Sequence, residues 1–134
     1  MSHTLFADTS AFFAAFSQND SRHCAALTSL TAKTSLITTR LVVIETVSLM
    51  TKRLSPFHAH AWHETIFKNQ EVRVRGVEDG VLAAAEKLWK QNKDKDWDLI
   101  DCYSFSVMRQ ERLKTAWSFD QHFIQAGFHM LPQL

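Results

Sequence analysis

The chain has 134 residues, 46% hydrophobic and 22% charged, with 15 Lys plus Arg against 14 Asp plus Glu for a net charge of +1. That length suffices for one domain with a real hydrophobic core, and the composition excludes a disordered or purely solvating chain. No apolar run approaches the roughly 18 residues of a membrane span.

The start, Met1-Ser2-His3-Thr4, lacks the pattern of a secretory signal. The two cysteines, Cys24 and Cys102, offer neither a disulfide framework nor metal-ligand spacing. A single domain over 1–134, in a reducing cytoplasm, is therefore expected.

Thr4 to Ala7 reads as a short buried strand ending on Asp8, and Thr9-Ser10 open a helix carrying Ala11 to Phe16. A polar break at 17–21 stops it. A second helix is predicted over Arg22 to Ala32, with Cys24, Leu27 and Leu30 inward, followed by a strand over Ser35 to Thr38. Thr39 can cap the next helix, Arg40 to Leu54, whose apolar residues surround most of its circumference and predict a central, largely buried position. Glu45 falls in its narrow polar seam with Ser48 and Lys52. A buried carboxylate there needs a partner.

Pro56 marks a boundary, and residues 58–67 make another helix. Glu71 to Val74 alternates as a half-buried strand near a sheet edge. A helix over Glu78 to Asn92 is predicted to turn Val81, Leu82, Ala85, Leu88 and Trp89 inward. From Asp98 another runs to Arg112, then come a strand over Lys114 to Phe119, a short helix, and a last strand at Phe128 to Leu131. Strands alternating with helices imply a three-layer α/β/α sandwich around a mostly parallel central sheet. Ligands of such sheets bind beyond the carboxyl ends of the strands, where Asp8 and Asp120 belong.

Taken singly, Asp8 and Asp120 can be N-caps, and Asp98 with Asp101 forms a capping box. Taken together, Asp8, Asp101 and Asp120 point to one crevice beside Glu45. Four adjacent carboxylates raise one another's pKa, a conflict that a bound cation removes. An all-oxygen set favours Mg²⁺ or Mn²⁺ over zinc. Such a site hydrolyses phosphodiesters with water activated at the metal and needs no protein nucleophile. Thr9 and Ser118 sit where they can position water or phosphate. If the four acids share a cation, ten remain against 15 bases, a balance of +5 that can attract phosphate backbones.

The chain resembles the PIN-domain ribonucleases over nearly its whole length, most closely the VapC-like toxins of type II toxin–antitoxin pairs. The residues that carry this are Asp8-Thr9-Ser10, Glu45 in a helix headed by Thr38-Thr39, Asp101-Cys102-Tyr103-Ser104-Phe105, Ser118-Phe119-Asp120-Gln121-His122-Phe123, and Gln125-Ala126-Gly127-Phe128. By position, the resemblance makes Asp8, Glu45, Asp101 and Asp120 the acidic quartet that binds Mg²⁺. It implies metal-dependent cleavage of RNA, a homodimer and a small antitoxin partner. Asp98 departs from the family, which commonly has Ser or Thr there. The alternative is a PIN-fold module that binds RNA or a partner without cutting it, or acts in RNA processing. A phospho-receiver reading lacks its accepting aspartate and late lysine.

His58, His60 and His63 spread around their helix and read as packing, and His122 as a solvent-facing residue of a short helix. Arg40, Lys52, Arg53, Arg73, Arg75 and Arg109 are candidates for gripping phosphates, and the four tryptophans are expected in the core. Gly76, Gly80 and Gly127 form no phosphate-cradling loop.

Overall fold

A computed structural model describes residues 3–133. Five strands, β1 (His3–Ala7), β2 (Thr34–Thr39), β3 (Val72–Arg75), β4 (Thr115–Trp117) and β5 (His129–Leu131), form one sheet in the order β3-β2-β1-β4-β5. All four pairings are parallel. Seven helices connect the described strands: α1 (Thr9–Phe16), α2 (His23–Thr28), α3 (Arg40–Arg53), α4 (Pro56–Lys68), α5 (Asp79–Gln91), α6 (Leu99–Gln110) and α7 (His122–Gln125).

This order dictates the layers. From β1 the chain steps to β2 and then β3 in one direction, so right-handed crossovers put α1 to α4 on one face. The step from β3 back to β4, and on to β5, runs the other way and puts α5 to α7 on the opposite face. Packing agrees: α1 meets α2 and α3, α3 meets α4, and α5 meets α6. Each face has its own aromatic core. Phe12 stands edge-on to both Trp62 and Trp117 on the first face. Phe105 packs edge-on against Trp97 and Phe123 on the second, with Phe6 and Phe128 beside them. The register pairs Phe6 with Ala116 and Ala7 with Trp117, so alternation sends Phe6 and Trp117 to opposite faces.

The helix starts are chemically marked. Asp8, Thr39 and Ser55 each accept a backbone N–H of the first turn, and Pro56 occupies the opening position of α4, where no N–H is needed. Asp98 and Asp101 make the reciprocal capping box expected from their spacing. Gly127, at φ +95°, turns the chain out of α7 toward β5.

Three side-chain expectations are overturned. Helix α2 spans only six residues, with Ala26 buried while Cys24 and Leu27 face solvent. The Thr28 and Ser29 hydroxyls return to carbonyls of the same turn, and the Thr31–Thr34 turn uses up the residues that would have extended it. In α5 the inward stripe ends at Leu88, and Trp89 is 45% exposed. Helix α3 buries Val42, Val43, Thr46 and Met50 but leaves Ile44 59% exposed, because one side of α3 forms the wall of a cavity.

Candidate active site

The order in which the chain adds strands reverses between β1 and β4, and this switch point is where an open parallel sheet leaves a crevice at its carboxyl edge. A cavity of about 630 Å³ lies there. Asp8, Glu45, Asp98, Asp101, Asp120 and His122 line it, with Arg22, Lys52 and Arg53 at its rim. All four carboxylates expected to act together therefore reach one cavity from four separate segments.

Asp8 follows β1 directly. Its backbone N–H donates to the Trp117 carbonyl at 3.1 Å, which ties the ends of β1 and β4 together. One carboxylate oxygen, Oδ2, accepts from Ser118 Oγ at 2.9 Å and Ser10 Oγ at 3.0 Å. Burial pushes its pKa up against those hydrogen bonds, and the Asp120 charge adds to the rise. Asp120 lies three residues beyond the end of β4, because the strand stops at Trp117 and Ser118 Oγ accepts the Asp120 N–H at 3.0 Å.

Glu45 has found a partner other than Lys52. Thr9 Oγ1 donates to Glu45 Oε1 at 2.6 Å, and the buried Thr46 hydroxyl stands 3.0 Å behind Thr9. Burial drives the Glu45 pKa up to about 7; Thr9 opposes the rise, while Asp8, Asp98 and Asp101 reinforce it. Asp101 sits in the first turn of α6, its Oδ2 accepting the Asp98 N–H at 3.1 Å. Burial and the neighbouring Asp98 carboxylate lift its pKa to about 6.

Thr9 and Ser118, expected to handle water or phosphate themselves, are both buried, with their hydroxyls turned onto Glu45 and Asp8. They position the acids. His122, expected to face solvent, is half-buried and joins two of those acids: Nδ1 lies 2.9 Å from Asp101 Oδ2 and 3.3 Å from Asp120 Oδ1. Burial alone would lower its pKa, but the Asp120 and Asp101 carboxylates outweigh burial and raise it. Ligand atoms of Asp101, Asp120 and His122 all lie within 4.8 Å of one another. The signal in the sequence was the Asp-x-His spacing just past a strand.

The donor chemistry fits a hard divalent cation: carboxylate oxygens dominate, and burial and neighbouring acids raise the pKa of three of them, a strain that a bound positive charge relieves. A cysteine nucleophile does not fit. Cys102 is buried, and burial together with Asp101 and Asp98 pushes its thiol up to about 11. Among the bases considered for phosphate binding, Arg73 and Arg75 pair with Glu111 and Glu78, and Arg40 lies over the Phe67 ring. Lys52 and Arg53 stand at the cavity, joined by Arg22, which the sequence did not single out. His58 bonds the Ser55 hydroxyl, and His63 packs against Phe67 with the two rings tilted.

A family model described as the PIN domain matches residues 5–129. The 23S rRNA-specific endonuclease VapC20, in two strains of Mycobacterium tuberculosis, is 30% identical over 125 residues, 92% of this chain and 95% of the relative. The crystal structure of that Mycobacterium tuberculosis protein, described as a sarcin-ricin loop cleaving toxin, superposes with a TM-score of 0.84 at 28% identity, covering 92% of this chain and 95% of the other. The FitAcB structure from Neisseria gonorrhoeae shares the fold with a TM-score of 0.68 at 18% identity, over 95% of this chain and 96% of the other.

Proposed function

The chain belongs to the PIN-domain family, and from that premise we propose that it is a divalent-metal-dependent endoribonuclease, the toxin of a toxin–antitoxin pair. One observation carries the reading: acids at positions 8, 45, 101 and 120 line a single cavity at the sheet's switch point. Asp8, Asp101 and Asp120 would hold Mg²⁺, or Mn²⁺, with Glu45 supporting it. When bound, the ion supplies positive charge against the phosphodiester oxygens and makes a nearby water more acidic.

The chain's own residues do the rest. Ser10 and Ser118 hold one oxygen of Asp8 still, and Thr9 does the same for Glu45. With Oε1 tied to Thr9, Glu45 presents Oε2 to orient the attacking water and take its proton. Arg22, Lys52 and Arg53 grip phosphates on either side of the bond to be cut. Homology to a relative named for acting on 23S rRNA supports RNA, and ribosomal RNA in particular, as the substrate. The description of VapC20 as a toxin supports an antitoxin partner for this chain. We read the functional form as a cytoplasmic homodimer, which sedimentation of the purified protein tests.

Purified protein is incubated with ribosomal, transfer and messenger RNA, with Mg²⁺ and with chelator. Cleavage with Mg²⁺, abolished by chelator and reduced at least about 100-fold in Asp8→Asn, is expected. If no RNA is cut and Asp8→Asn binds the metal as the native chain does, the nuclease reading fails.

A further inference from the structure

We propose that His122 is itself a ligand of the cation, so that the site carries one nitrogen donor and prefers Mn²⁺ to Mg²⁺. This rests on reading the cavity as a cation site and goes beyond the four carboxylates. Two atoms bound side by side to one octahedral ion at about 2.1 Å lie about 3.0 Å apart. His122 Nδ1 is already 2.9 Å from Asp101 Oδ2 and 3.3 Å from Asp120 Oδ1, the edges of such a polyhedron. The three ligand atoms fall within 4.8 Å of one another, close enough to surround one ion.

The local structure aims the ring. The His122 N–H donates to Asp120 Oδ1 at 2.9 Å, so the loop that positions Asp120 also positions the imidazole. Asp101 is set independently from α6 by the Asp98 N–H at 3.1 Å. With its hydrogen on Nε2, the imidazole offers the Nδ1 lone pair to the cavity. Mg²⁺ gains little from a nitrogen donor. Mn²⁺ and the later divalent metals gain progressively more. A His122 that only buttressed the carboxylates through hydrogen bonds would instead serve both ions equally.

The test uses the whole chain loaded with Mn²⁺ and reads the electron spin-echo modulation of the ion. Natural-abundance protein is compared with protein carrying ¹⁵N-histidine. A directly bonded histidine nitrogen, shifted by the isotope and lost in His122→Ala, is expected. By calorimetry, the ratio of Mn²⁺ to Mg²⁺ affinity should fall roughly tenfold in His122→Ala, mostly through Mn²⁺. Mn²⁺ bound to the native chain without a histidine nitrogen signal overturns the assignment, and this needs no variant to fold. Equal losses for both ions also overturn it and leave the carboxylate site standing. Failure of Mn²⁺ to bind the native chain, or undiminished binding to the Asp101→Asn, Asp120→Asn double variant, removes the cation site along with it.

Discussion

Thr9 shows how much a single hydroxyl controls. Its bond to Glu45 is the main influence holding that carboxyl down against burial, and Thr46 backs it from inside the core. Thr9→Val keeps the shape and removes the donor. The acid limb of the pH–rate profile should move to higher pH, cleavage at pH 7 should fall about tenfold, and stability should drop by about 1–2 kcal/mol. A profile that stays in place would refute this role for Thr9. The acids also make the metal-free fold sensitive to pH. Glu45, raised from 4.5 to about 7, and Asp101, raised from 3.8 to about 6, bind protons more tightly folded than unfolded. Their protonated forms favour folding below the unfolded values, and this contribution is lost as pH rises through the folded ones. Melting of chelator-treated protein should therefore fall by a few degrees, on the order of 1 kcal/mol, from about pH 4 to 7, and added Mg²⁺ should restore most at the upper end. Asp8, Glu45, Asp101 and Asp120 could be read from the chain because each stands at a helix start or in a polar seam. His122 offered only its spacing two residues past Asp120, which does not distinguish a histidine facing water from one that also meets Asp101, 21 residues away in the chain.

At the scale of elements, the head of α6 does two jobs at once. The capping box stabilises the helix and also fixes Asp101. Asp98→Ala should cost about 1 kcal/mol and lower the melting temperature by a few degrees, whereas Asp98→Ser, retaining an acceptor at the cap, should recover most of it. Equal melting of the two variants would show that the cap contributes nothing. Caps were legible because their chemistry is local: Thr39 and the Asp98–Asp101 pair behave as their spacing predicts, and Pro56 marks a boundary as expected. Burial on short or partly covered helices was not. Periodicity assigned Cys24 and Leu27 inward on α2, yet a six-residue helix can bury little more than Ala26, and the Trp117 indole claims its carbonyl. Ile44 is apolar by sequence and exposed by position, because its neighbour Glu45 needs an open wall.

For the whole molecule, a net charge of +1 conceals opposite fields, with acids deep in the cavity and Arg22, Lys52 and Arg53 at its mouth. Binding of single-stranded RNA to Asp8→Asn protein should weaken linearly on a logarithmic salt scale, and each of Arg22→Ala, Lys52→Ala and Arg53→Ala should reduce the slope by about 0.7. An unchanged slope would place the phosphates elsewhere. The parallel three-layer architecture followed from strand and helix alternation alone. The strand order, which decides where the crevice lies, needed the tertiary structure. That order has a consequence for synthesis. Asp8 follows directly on β1, but the carbonyl and hydroxyl that lock it, from Trp117 and Ser118, arrive more than 100 residues later. A nascent chain still threaded through a ribosome thus holds an unfinished acidic site, which closes only once the segment carrying β4 has emerged.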